Sequence, residues 1–348
     1  MSHVGILANP MSGRDVRRLA ARASTTTPEI KRDQVSRAAI GAVAGGAKKL
    51  FVIDEPFRIS RSAVENLGLD AEIVALDVGS SLRATDSRNA IEQMREAGCG
   101  AIVVLGGDGT NRVVAKEWRD APLVPISTGT NNVFPLQVEA TGAGLAAGLV
   151  ASGRLPLEEV SRRVKVVEVE IDGEAPDLAV IDAAFLVDDA VGNYMPFEPK
   201  KLRRLVLARA EPTAVGMSPI GGLLHPCGDA EEGGVDVTCG APDAEGRTLL
   251  APVSPGLFRP VRIRASRRIA EGEAVAIEGP GVLAFDGDRE RTLAAGQRAT
   301  LRVVRAGPQV IDVAVALDRA AREGVFLDRD HWHDAFDEGF SGGGTDCC

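Results

Sequence analysis

The stretch VVLGGDGTN, residues 103–111, runs an apolar strand straight into a turn that holds three glycines, one carboxylate (Asp108) and one hydroxyl (Thr110). A strand that ends this way and leads into a helix presents open backbone N–H groups and a positive helix N-terminus, which together attract phosphate. Glycines permit that close approach. An acid beside bound phosphate is unwelcome electrostatically unless it accepts a proton from an attacking hydroxyl or helps to organise Mg²⁺. Taken alone, the stretch equally fits an ordinary turn in which Asp108 caps the following helix. Either way it predicts strand, turn, helix, the unit of a parallel sheet covered by helices.

Working outward, residues 3–8, 50–53, 73–78, 101–105 and 123–126 read as strands separated by helix-like segments. The third intervening helix is expected to start at Asp86 as N-cap, to carry Ala90, Ile91 and Met94 on one face, and to stop at Gly98. GAGLAAGLVASG, residues 142–153, lacks the strand–G-x-G-x-x-G–helix order of a dinucleotide fingerprint and reads as a helix of small residues pressed against a neighbour. From Val164 the pattern changes to alternation: VKVVEVEI, an Asp172-Gly173 turn and DLAVIDAAFLVDD predict a hairpin. Short strands follow near 234–238, 260–265, 274–278, 283–285 and 300–304, then a helix over 312–323 with Val313, Ala316, Leu317 and Ala320 on one stripe. The expected division is an α/β nucleotide-binding domain (1–140), a β-rich substrate and oligomerisation domain (141–310), a helix (311–325) that folds back, and a flexible tail (326–348).

Composition narrows the function. A chain of 348 residues, 45% hydrophobic, can bury a large core, and its net charge of −9 argues against nucleic acid or an anionic membrane as main partner. Cys99, Cys227, Cys239, Cys347 and Cys348 are scattered with no C-x-x-C spacing, as in a reducing compartment. With no basic leader before an apolar stretch and no run of about eighteen apolar residues, a cytoplasmic protein acting on a small molecule is expected, as a homo-oligomer.

Two further glycine loops end predicted strands of the same sheet, where open α/β folds place ligands: Asn9-Pro10-Met11-Ser12-Gly13-Arg14-Asp15 and Ser127-Thr128-Gly129-Thr130-Asn131-Asn132. With GGDGT they could surround a triphosphate. NPMSGRD, GGDGTN and STGTNN, in this order, resemble the motifs of the superfamily that unites ATP-NAD kinases with diacylglycerol and sphingosine kinases. EPTAVGMSPIGGLLHP (211–226), APVSPGLFRPVRI (251–263) and AFDGDRERTLAAGQ (284–297) continue the likeness, which is strongest to the acetoin-catabolism protein X branch. The resemblance implies an NAD kinase-like two-domain fold, with Rossmann- or flavodoxin-like layers followed by a β-rich domain. It further implies ATP with Mg²⁺ as cofactors and γ-phosphoryl transfer to an alcohol group on NAD or a related metabolite.

Carried over by residue, it makes Asp108 and Asp286 catalytic. Asn9, Ser12, Gly106, Gly107, Gly109, Thr110, Thr128, Gly129, Thr130 and Asn131 become nucleotide-binding, and Asp182 and Ser218 acceptor-binding. Asp286 has a second reading, position i of a tight Asp-Gly turn. Ile181-Asp182 stands where NAD kinases carry Asn-Glu, and small residues near Val215 and Gly216 stand where they carry Tyr, so the phosphate machinery is kept while NAD recognition is altered. A nucleotide-binding accessory protein and a lipid-type kinase therefore remain alternatives. His331 and His333 lack a third ligand at metal spacing, and His225 beside Pro226 reads as structural. Lys200-Lys201-Leu202-Arg203-Arg204 reads as the wet face of an amphipathic helix, or as a contact to an acceptor phosphate.

Overall fold

A computed structural model describes residues 2–13, 26–129, 132–193 and 197–327. The chain begins β1 (His3–Ala8), α1 (Pro28–Ala44), β2 (Lys49–Asp54), α2 (Ile59–Val64), β3 (Glu72–Asp77), α3 (Ala84–Glu96), β4 (Ala101–Gly106), α4 (Asp108–Glu117), β5 (Pro122–Ser127), α5 (Ala140–Ala151), α6 (Leu157–Val160) and β6 (Ser161–Arg163). It continues β7 (Val166–Ile171), β8 (Asp177–Ala179), β9 (Asp182–Leu186), β10 (Leu202–Leu207), α7 (Ser218–Gly222), β11 (Gly234–Cys239), β12 (Arg247–Ser254), β13 (Leu257–Ile269), β14 (Val275–Glu278), β15 (Gly281–Phe285), β16 (Asp288–Leu293), β17 (Arg298–Val304), β18 (Gln309–Ile311) and α8 (Val313–Arg322).

The first sheet has the order β3-β2-β1-β4-β5-β18-β6. β1 to β5 and β18 run parallel, and β6 pairs antiparallel with β18. Strands β1, β4 and β5 are apolar along almost their whole length because helices cover both faces. Strand order reverses between β1 and β4, so the loops leaving their carboxyl ends diverge and open a crevice between them.

α5 crosses α1 with almost no space between backbones. A Cβ on Gly144 would lie 2.0 Å from the Ala38 carbonyl oxygen, and one on Gly148 would lie 2.2 Å from that of Ala42. The small-residue reading of 142–153 is explained by this contact. α5 and β6 follow residue 140 yet sit with the first sheet, as do β18 and α8 from the far end of the chain.

The rest is β-rich. A sheet of order β12-β13-β11-β10-β9-β15-β16 faces a smaller one of order β14-β17-β7-β8, with Val169, Leu283, Phe285 and Leu301 in the core between them. Three local expectations change. DLAVIDAAFLVDD is not one strand: it breaks at Val180-Ile181, so β8 stays with β7 while β9 joins the larger sheet. Residues 200–204 form no amphipathic helix but a 3₁₀ turn (Pro199–Lys201) leading into β10, where Arg204 bonds Asp236 on β11 at 2.5 and 2.7 Å. Asp86 lies inside α3 rather than at its cap, and its carboxylate reaches back to the Leu82 N–H and the Ser81 hydroxyl.

Candidate active site

The loops after β1, β4 and β5 meet at the reversal point and form one wall of a cleft of about 1650 Å³. β9, the β15–β16 turn, α7 and the β13 strand supply the other wall. The side chains expected to touch nucleotide are largely engaged with each other. Asn9 Nδ2 donates to Thr110 Oγ1 at 2.9 Å, Thr128 Oγ1 donates to Ser12 Oγ at 2.9 Å, and Ser12 Oγ donates to the Asn9 carbonyl at 2.8 Å. They lace the three loops into one surface. Backbone amides are then left to face a ligand. Gly106 is required by space, since a Cβ would sit 2.6 Å from Thr110 Cβ, whereas a Cβ on Gly107 would sit 2.9 Å from Asn132 Oδ1 and displace only the end of that side chain. Gly129 closes the β5 loop through its carbonyl, which accepts from Ser127 Oγ at 2.9 Å. Thr130 and Asn131 lie outside the described residues, as do His331, His333, Cys347 and Cys348.

Asp108 is the first residue of α4, with Gly107 as N-cap. Its carboxylate does not cap that helix. It accepts from the Val133 N–H at 3.1 Å and from the Phe134 N–H at 2.9 Å, tying α4 to the segment after β5. Burial raises its pKa to about 6, against the pull of those amides and of the Arg209 guanidinium. Asp286 lies across the cleft. It occupies the first central position of a two-residue β15–β16 turn, not position i, with φ of 50° followed by 89° at Gly287. Its carboxylate turns back to accept from the amides of Val180, Ile181 and Asp182 at 2.9, 2.8 and 3.2 Å. Those bonds hold the chain where it leaves β8 for β9. Burial lifts Asp286 to about 7, the Arg112 guanidinium opposes this, and the Asp108 charge adds to it.

Asp182 and Ser218 both line the cleft and are buried. The Ser218 hydroxyl is already paired, donating to the Arg209 carbonyl at 2.8 Å and accepting from the Glu211 N–H at 2.9 Å. His225 lies outside the cleft lining, bonded to Ser266 Oγ at 3.0 Å.

Three cations of the site carry no sequence signal. Lys31, 1% exposed, donates to the carbonyls of Asn9, Pro10 and Ser12 at 2.8, 2.8 and 2.7 Å. Arg112 spans the two halves of the molecule, bonding the Leu178 carbonyl, Asp177 and Glu290 while its guanidinium lies 4.8 Å from the Phe285 ring centre. Arg209 is the cation that acts on Asp108. Lys31 and Arg112 lie on helices and Arg209 in the loop after β10, and no residue pattern marks any of them as part of a site.

A relative from Cupriavidus necator, acetoin catabolism protein X, is 33% identical over 331 residues, covering 92% of this chain and 92% of that one. The chain belongs to the acetoin catabolism protein X family. Residues 4–151 match the ATP-NAD kinase N-terminal domain and residues 165–306 the acetoin catabolism protein X C-terminal domain. The boundary between these matches falls after α5, consistent with its packing on α1. Similar solved structures include yeast NADH kinase complexed with NADH, at TM-score 0.49 and 11% identity, covering 95% of this chain and 89% of that one. A diacylglycerol kinase from Bacillus anthracis scores 0.44 at 11% identity, covering 90% and 98%. Within the acetoin catabolism protein X family, then, this member sets two buried acids across a cleft walled by glycine loops.

Proposed function

We propose that this protein is an ATP-dependent phosphotransferase that moves the γ-phosphoryl group to a hydroxyl of NAD or a related small metabolite, in the context of acetoin catabolism. The observation that carries this is the placing of Asp108 beside the glycine loops at the sheet's reversal point, with Asp286 facing it. Asp108 takes the proton of the acceptor hydroxyl as its oxygen bonds to the γ-phosphorus and the bond to the leaving ADP oxygen breaks. Catalysis of this kind rests on positioning and charge stabilisation. The loop amides and the α4 N-terminus hold the phosphates, and the wall with Asp182 and Ser218 presents the acceptor.

The oxygen-only donors near the phosphate loops fit Mg²⁺, which binds through one or two carboxylates together with substrate phosphates. Asp286 and Asp288 would hold it: Asp288 Oδ2 comes within 3.4 Å of where a Cβ on Gly109 would stand. When bound, the ion neutralises charge on the transferring phosphoryl group. Among the described residues no three His, Cys, Asp or Glu side chains converge as an all-protein metal cage.

A second reading, a nucleotide-binding accessory protein without turnover, is favoured by the number of amides that already satisfy both carboxylates. ADP release measured with ATP, Mg²⁺ and a panel of hydroxylated acceptors separates the two. Acceptor-dependent release that Asp108→Asn abolishes supports the transferase; ATP binding with no release for any acceptor supports the accessory protein.

A further inference from the structure

The loop after β1 has an unusual interior. Three of its carbonyls, from Asn9, Pro10 and Ser12, converge on the one ammonium of Lys31, which α1 delivers from beneath and which is 1% exposed. In a planar trans peptide the C=O and the following N–H point in opposite directions. The Ser12 carbonyl points at Lys31, so the Gly13 N–H must point away from it. Gly13 is buried and lines the cleft, yet among the described residues its N–H donates to no protein oxygen. A buried amide without an acceptor is rare and calls for one. The backbone there is fixed for the purpose: Gly13 has φ +75°, and a Cβ would lie 2.9 Å from the Thr128 carbonyl oxygen. Neither neighbour of that peptide bond can reorient it, because Ser12 is held through its hydroxyl by Asn9 and Thr128.

We infer that Lys31 is a positioning residue for nucleotide binding: by gathering the loop carbonyls onto its ammonium, it turns the Gly13 N–H into the cleft as a donor for a phosphate oxygen. The inference rests on the phosphotransferase reading for the identity of the anion. Lys31 does not touch the nucleotide. It fixes the sign of the loop, with carbonyl oxygens inward and the amide outward, where the reverse would repel phosphate. Removing the ammonium leaves three carbonyls without their donor, and the peptide loses its reason to face one way.

Two measurements test this. Hydrogen exchange of the unaltered chain, with and without ATP and Mg²⁺, should show slowed exchange at Gly13 together with the 107–110 turn. Protection of 107–110 with Gly13 unchanged would overturn the inference while leaving the phosphotransferase reading intact; protection at neither would remove both. Calorimetric titration of Lys31→Met with ATP, at a temperature where the variant is folded, should give an affinity weaker by about tenfold or more, the worth of one charge-assisted hydrogen bond. Unchanged affinity in the folded variant would overturn it. Should Lys31→Met not fold, exchange at Gly13 in the unaltered chain decides alone.

Discussion

Asp108 shows how burial changes the expected cost of a substitution. Placed at the tip of a glycine turn, it reads from sequence as a residue whose loss alters stability by less than about 1 kcal/mol. The structure gives its carboxylate two backbone amides to satisfy, those of Val133 and Phe134. Asp108→Ala should therefore lower stability by about 1–3 kcal/mol, the cost of leaving buried donors unpaired. Asp108→Asn keeps an acceptor oxygen for both amides and removes only the charge and the basicity. Turnover of Asp108→Asn should fall by about 10²- to 10⁴-fold with the fold intact. The pH dependence has a definite sign. Because burial holds the folded carboxyl at about 6, above its ordinary 3.8, the native state binds more protons than the unfolded chain between those values. Asp108 therefore subtracts stability as pH rises through that window, and the subtraction is complete above about 6. Melting curves from pH 4 to 8 should show Asp108→Asn gaining on the unaltered chain with rising pH. A difference independent of pH would mean that the carboxylate is not buried as described.

At the scale of elements, α4 and the β8–β9 link are the parts that hold the cleft together, and Arg112 joins them. Its guanidinium is buried among the Leu178 carbonyl, Asp177 and Glu290. Burial alone would raise the Asp177 carboxyl, but Arg112 and Lys116 outweigh it and hold the group at about 2. Asp177 thus adds stability that is fully present above its ordinary value near 3.8 and is lost as pH falls toward 2. Arg112→Met removes the charge, and with it the guanidinium contact to the Phe285 ring, so it should destabilise by about 3–5 kcal/mol, the usual cost of breaking one side of a buried pair. It should also shrink the loss of stability in acid, since Asp177 would lose one of its cations and keep Lys116, Arg291 and the Leu178 N–H. Thermal melts at pH 7 and pH 3 check both effects. None of this was legible in the sequence. A lone Arg inside GTNRVV has no pattern, and the break at Val180-Ile181 is imposed by Asp286, more than a hundred positions away. The strands β6, β8 and β18, at three residues each, are too short to show alternation.

Across the whole molecule, what could be read in advance was what glycine and periodicity dictate, the five parallel strands and the glycine loops at their ends, while the two acids that line the same cleft came from the family resemblance. What could not be read was how the chain closes. β18 inserts between β5 and β6, and α8 packs Ala316 and Ala320 into the core beneath α5, so the last described segment completes the first sheet. The cleft is consequently a joint between two bodies that the chain crosses in both directions, and a ligand in it touches both: the β1, β4 and β5 loops on one side, β9 and the β15–β16 turn on the other. A nucleotide bound there should stabilise the molecule as a unit. With ATP and Mg²⁺ at about a hundred times the dissociation constant, mass action gives roughly 2.7 kcal/mol against unfolding. For a chain of this length the melting temperature should then rise by a few degrees, in one transition rather than two. The rise should be larger with ATP than with adenosine, because the loops offer amides to phosphate while, among the described residues, the cleft lining offers only Phe197 as an aromatic surface to a base. Equal shifts with ATP and adenosine would place the binding energy on the base and remove the case for a phosphate cradle. No shift with ATP, ADP or NAD at millimolar concentration would remove the case for nucleotide binding altogether.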